Sequence, residues 1–247
     1  MTAHNHLPQQ PRFQAEYFIR DYRTELSHYA SVFHERIVCS FANMEEEAKR
    51  IEDETYARMG EHMDPEYASP DYGMEEAFHA GVNFYLTTDS VRQGVYNLMI
   101  AGLFHLLEQQ AQYLATRVFL ERPIQPQKNG GLNQLKPMLT EKFGINIETF
   151  KCWPKLNELN LVANTVKHGD GRSSEELKLL NPDLFRDPLD PFPHISTLPL
   201  RPLVGEGLRL TEDHFEIYKT SIEQFWDELI NALLPVFCPP SNSTPPS

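Results

Sequence analysis

Between Phe13 and Met59 large side chains recur three or four residues apart: Phe18, Tyr22, Leu26, Tyr29, Phe33, Ile37, Phe41 and Met44. That is the period of a helix with one buried face. No proline interrupts the run, so it predicts one long helix or two nearly collinear ones, with a charged last third that projects from the core. The prolines and glycines of "GEHMDPEYASPDYG", from Gly60, predict a connecting loop. A helix over about Glu75 to Thr87 follows. The strongest pattern runs from Gly94 to Glu121, where the first half is apolar nearly all round, as a central bundle helix should be. "RPIQPQKNGG" ends it. A shorter helix from about Leu132 to Phe143 stops at Gly144, with Pro137 an awkward interior residue. Pro154 suits the first turn of the next helix, which runs to His168.

Six prolines from Pro182 to Pro202 exclude a helix there. They predict an extended segment draped over the bundle, with a short hairpin around "LVGEGLRL". Thr211 is the expected N-cap of a last helix, whose buried stripe is Phe215, Tyr218, Ile222, Phe225, Leu229 and Leu233 and which Pro235 ends. Residues 1–12 read as a disordered arm and 236–247 as a loose tail. The fold class is all-α: a single helical-bundle domain over 13–235, with a long N-terminal helix and a Pro-rich extended insertion before the last helix.

Composition narrows the function. Hydrophobic residues are 40% and charged residues 23%, ordinary for a folded soluble protein. No apolar run approaches the ~18 residues of a membrane span, and "MTAHNHLPQQPRF" lacks a secretory h-region. These predict a cytoplasmic protein without a membrane partner. A net charge of −13 disfavours non-specific DNA binding, which needs a positive surface. Much of the acid sits in "EEEAKRIEDE" and in the stretch from Glu61 to Glu76, expected to be a solvated helix face and a polar loop. Cys39, Cys152 and Cys238 form no CxxC pair and are expected to be small packing residues.

Glu25/His28, Glu76/His79 and His105/Glu108 each place a carboxylate and an imidazole three apart on a helix. The bridging glutamates of a di-iron bundle are not found in order, so no metal and no cofactor is expected. His105 and Glu108 instead predict an internal hydrogen-bonded pair. No Ser/His/Asp signature, catalytic cysteine or phosphate loop is present.

The helix ending at His168 carries the candidate chemistry. At about 100° per residue, Leu156, Leu159, Val162, Ala163 and Val166 gather on its core face. Asn157, Asn160, Asn164 and His168 form a polar stripe with Lys167 at its edge, and Leu161 lies beside the stripe, away from the core. Asparagine is a poor helix former, and a row of amides suits a polar partner: a second subunit, a nucleotide or RNA. Leu161 beside it favours a protein contact and marks a dimer interface. The local pattern also fits a plain helix end, with Lys167 and His168 at the C-terminal dipole and Gly169 after them.

"CWPKLNELNLVANTVKHGDGRSSEEL" and "LMIAGLFHLLEQQAQYLATRVFL", with "LKLLNPDLF" and "LRLTEDHFEIYKTSIEQFWDELI" further on, resemble the HEPN superfamily of helical-bundle proteins over roughly residues 75–235. The resemblance implies a HEPN-like bundle that dimerises. Active members bring two Arg-Asn-x-x-x-His motifs together and cut RNA without a metal, often in toxin–antitoxin or phage-defence systems. Asn164 and His168 match the Asn and His of that motif. Ala163 stands at the arginine position, and Leu161 and Val162 at the alternative ones. Cleavage by a 2′-hydroxyl needs an acid or base that titrates near neutrality, the property of a histidine. It also needs a cation for the charge developing on phosphate. Lys167 or Arg172 would have to supply that cation in place of the family arginine. The sequence therefore predicts a HEPN-like module that dimerises and binds RNA, a nucleotide or a partner protein, without catalysis or with weak catalysis. The alternative is a metal-independent endoribonuclease using His168, Asn164, Lys167 and Arg172, with Asn157 and Asn160 on the substrate.

Overall fold

A computed structural model describes residues 10–62, 70–119, 131–169, 171–185 and 207–237, and these are entirely helical, turn or irregular, without a strand. Of the loop expected over 60–73, residues 60–62 end one helix and 70–73 open the next, and 63–69 lie outside the described residues, as do most of the loop expected over 122–131, the Pro-rich stretch 186–206 and most of both expected tails. Seven α-helices appear in chain order: α1 Gln10–Val32, α2 Met44–His62, α3 Pro70–Tyr113, α4 Leu132–Phe143, α5 Trp153–His168, α6 Arg172–Leu180 and α7 Glu212–Phe237.

The long N-terminal apolar pattern does not give one rod. A π-helical turn at Phe33–Ile37 and a 3-10 turn at Val38–Phe41 divide it. A π turn carries one extra residue and shifts the register of the buried face. It lets α1 pack on α7 while α2 packs against α3. The reverse happens in α3, where two helices were expected and a single 44-residue helix forms. Weak helix formers at Thr87, Thr88, Asp89 and Ser90 suggest a break. Tertiary contacts override them: Asp89 is buried and paired with both Arg92 and Arg209. A second π turn, Leu114–Val118, continues the helix.

One hydrophobic cluster joins α1, the C-terminal half of α3, α4, α5, α6 and α7. Phe33 stacks on Phe215 with ring centroids 4.1 Å apart, and Trp226 lies 5.2 Å from Tyr22 and 4.9 Å from Phe225. The Trp226 indole donates to Gln110 at 3.2 Å, and Gln110 in turn donates to Glu25 at 3.0 Å, so the indole N–H is satisfied inside the aromatic core. Close helix approach is set by Gly102, where a Cβ would overlap the Tyr29 hydroxyl. That hydroxyl donates to the Met99 carbonyl at 2.8 Å.

α4 keeps Pro137 inside it. The carbonyl this orphans belongs to Asn133, which is exposed and open to water. Gly144 ends α4, its N–H reaching the Thr140 carbonyl at 3.0 Å. Pro154 sits in the first turn of α5, as expected. α6 was not anticipated, because nine residues with three serine-type or glycine-flanked positions give a weak pattern. Pro182–Phe185 forms a 3-10 turn where no helix was expected; a proline at the first position of such a turn loses no hydrogen bond.

Leu208, Arg209 and Leu210 return without regular secondary structure, both leucines buried. Arg209 N–H donates to the Leu184 carbonyl at 2.7 Å. Asn97 and Gln93 of α3 donate their amides to the Leu208 and Leu210 carbonyls, each at 2.9 Å. The part of the expected hairpin that is described is thus a single segment held by side-chain amides. Thr211 caps α7, accepting from His214 N–H at 3.4 Å. All six residues of its expected stripe are buried. Pro235 lies within α7 rather than ending it, since one lost hydrogen bond in the last turn does not unravel the helix. Cys152 is buried as expected but Cys39 is exposed, its thiol on the His34 carbonyl in the irregular α1–α2 junction.

None of the described residues between 44 and 95 belongs to the main cluster. α2 and the N-terminal half of α3 form an antiparallel hairpin arm with its own narrow seam. Its buried side chains are Met44, Thr55, Ala77 and Asp89. A Cβ on Gly81 would come within 2.9 Å of the Ala48 carbonyl, so the two helices touch backbone to backbone there. No helix among the described residues is long and apolar enough to cross a membrane.

Candidate functional site

α5 packs between α3, α6 and α7. Leu156, Leu159 and Val162 are buried as the helical spacing requires. Ala163 and Val166 are half-buried at the margin of the core rather than inside it. The rest of the buried face is polar: Glu158 and Thr165, four and three residues from Val162. The core face is therefore rotated toward α7 and α6.

On the outer side Asn157 is exposed. Asn164 donates its amide to the Asn160 carbonyl at 3.0 Å and to the Asn160 side-chain oxygen at 2.8 Å. The two amides are braced against each other, leaving Asn164 Oδ1 and Asn160 Nδ2 without a hydrogen-bond partner among the described residues. Lys167 and His168 are exposed at the helix end, and neither forms an ion pair among the described residues. Gly169 follows with φ 68°, a left-handed conformation that explains glycine at this position. Leu161 is half-buried against the core, not turned away from it, because the rotation of α5 brings it inward.

Arg172 is not drawn toward His168. It opens α6, its side chain is 91% exposed, and its Nε donates to Glu176 at 2.7 Å. Of the seven predicted site residues the chain brings two together, Asn160 and Asn164.

Sequence reasoning missed two polar groupings that involve α5. Lys167 lies near Glu108 of α3. Burial raises the Glu108 pKa, and His105 and Lys167 both work against that shift. His105 is exposed and bonds Gln109 at 3.0 Å rather than Glu108. A Cβ on Gly131 would sit 3.0 Å from the Glu108 side chain, so the start of α4 screens this carboxyl from water.

The second grouping surrounds Glu158. Its carboxylate accepts from Tyr218 at 2.7 Å, from Lys155 at 2.8 and 3.0 Å, and from Asn181 at 3.5 Å. Burial alone would raise its pKa, but these donors outweigh burial and hold it below the ordinary carboxylate range. Tyr218 is pushed the other way, first by burial and then by the carboxylate it donates to. The pair is an ionised acid and a neutral phenol. The one available signal was Glu158 lying four before Val162 and seven before Thr165, on a stripe that turns out to be buried.

The remaining carboxylate–imidazole pairs do not assemble. His79 approaches Glu75 at 3.8 Å rather than Glu76, and Glu25 accepts from Gln110 while His28 is exposed. Among the described residues no three His, Cys, Asp or Glu side chains form a metal-binding group. An open cleft of about 420 Å³ lies at the start of α7, lined by Arg92, Gln93, Tyr96 and residues 210–213. No family model matches the chain, and no curated protein or solved structure is significantly similar to it.

Proposed function

We propose that the protein is a HEPN-like, non-catalytic module that forms a homodimer and binds RNA through the outer edge of α5, in the cytoplasm. The observation that carries this reading is the composition of that edge. Asn157 and the braced Asn160–Asn164 pair offer amide donors and acceptors, and Lys167 and His168 stand exposed beside them without ion pairs among the described residues. In a chain of net charge −13, this is a local concentration of hydrogen-bonding groups and exposed basic side chains. Amides suit base edges and ribose hydroxyls, and a lysine suits phosphate.

The Arg172–Glu176 pair supports binding over cleavage. A cation that stabilises a phosphorane must be aimed at it beforehand, and Arg172 is spent on its own helix. Endonuclease chemistry would require that pair to exchange on assembly of the dimer.

A labelled single-stranded RNA, titrated by fluorescence anisotropy, tests the reading. Lys167→Glu should weaken binding about tenfold, and Lys167→Ala should flatten the salt dependence by about one phosphate contact. Sedimentation should give twice the 28.6 kDa chain mass. Absence of RNA binding, or binding indifferent to Lys167 and Asn164, overturns it. RNA cleavage that disappears in His168→Ala would replace the binding module with a metal-independent endoribonuclease.

A further inference from the structure

The hairpin arm presents a surface that the bundle does not need. A pair of helices has one seam, and here it is closed by Met44 and by the small groups of Ala77, Gly81, Thr55 and the Ala48 backbone. Several other large apolar side chains stay outside. Met74 is 59% exposed, Phe78 55% and Tyr56 46%. Met74 and Phe78 are four apart, and Tyr85, half-buried, is seven further on, so the three share one stripe of α3. Single exposed apolar residues need no explanation, but a helical stripe of them on a thin arm does.

The surroundings of the stripe identify what covers it. Over residues 44–60 and 73–80 the arm carries eight acidic and three basic side chains. Lys49 is taken by Glu52 and Asp53, and Arg50 by Glu54. Glu45, Glu46, Glu47 and Glu76 are exposed without a cation among the described residues. A second arm would bring like charge against like charge, and a nucleic acid would be repelled. The surface is complementary to a helix with lysines or arginines beside leucine or aromatic anchors.

We propose that the α2–α3 arm is a docking surface for a basic amphipathic helix of a partner protein. The stripe of Met74 and Phe78 takes the apolar anchors, and the acidic rim takes the cations. This site is separate from the α5 edge and does not depend on RNA binding there.

The probe is a fluorescein-labelled basic amphipathic peptide with lysines on one helical face and leucines on the other. A scrambled peptide of the same composition serves as control. The full chain should bind the ordered peptide at least about tenfold more tightly than the scramble, and less tightly as salt is added. The double change Met74→Gln/Phe78→Asn should weaken binding about tenfold, as should Glu45→Gln/Glu46→Gln/Glu47→Gln, with helical circular dichroism retained. Leu179→Ser, an exposed apolar position outside the arm, should change nothing. Equal binding of the scramble, or indifference to the arm variants, overturns the proposal. So does a dimer that Phe78→Asn splits, because a second copy would then be the occupant.

Discussion

In the bundle, Phe33, Phe215, Tyr218 and Trp226 are shut away completely, and their polar atoms are matched by Gln110 and Glu158. In the arm, the buried side chains are a methionine, a threonine, an alanine and an aspartate, while Phe78 and Met74 face water. Both regions are helices of similar regularity. The bundle has several helices to distribute large residues among, and interdigitation of those residues fixes a unique packing. The arm has two, so it gains by close backbone approach at Gly81 and leaves its large residues for something else. Its stability is local, and a partner can change it without touching the core.

Trp226→Ala should show the bundle side of this contrast most strongly. It removes a fully buried aromatic and leaves Gln110 short of a donor, at about 3–5 kcal/mol in urea unfolding. Two glycine changes compare the regions directly. Gly102→Ala drives a methyl into Tyr29, inside the bundle, and should lower global stability by about 1–3 kcal/mol. Gly81→Ala presses on the Ala48 carbonyl and should speed hydrogen exchange in α2 while leaving the bundle's unfolding midpoint almost unchanged. An equal fall in the midpoint for both would show that arm and bundle unfold as one unit.

The Glu158 cluster gives a pH test confined to the bundle. Its folded pKa lies below the ordinary 4.5, so its ionised form stabilises the native state above about that pH. The contribution is lost as pH falls through the lower folded value. Glu158→Gln should be less stable than the natural protein at pH 7, and the gap should close in acid. A constant gap would assign the effect to packing alone. The smallest effect belongs to Phe78→Asn, within about 0.5 kcal/mol in the unbound chain, since that ring is mostly in water already.

Much of this was legible in the chain. Helical spacing placed the buried stripe of α7, a first-turn proline the start of α5 at Pro154, and a terminating glycine the stop of α4 at Gly144, because each rests on a local rule. The division between α1 and α2 was not legible: residues 33–43 keep a helical apolar pattern, and only the change of neighbour from α7 to α3 explains the π turn. α3 was split by its own poor helix formers, which the Asp89–Arg209 contact outweighs. At the site, the exposed Asn157 and the half-exposed Asn160 and Asn164 followed from angle. The burial of Glu158 and the inward turn of Leu161 did not, because both depend on how far α5 rotates toward α7. The tie between Arg172 and Glu176 needed α6, which the pattern did not reveal.

The Arg209 N–H meets the Leu184 carbonyl while its guanidinium reaches Asp89. One residue therefore joins the turn after α6, the approach to α7 and the arm side of α3. A deflection of the arm is delivered through Arg209 to the start of α7, and is felt there before it reaches the packed aromatic rings.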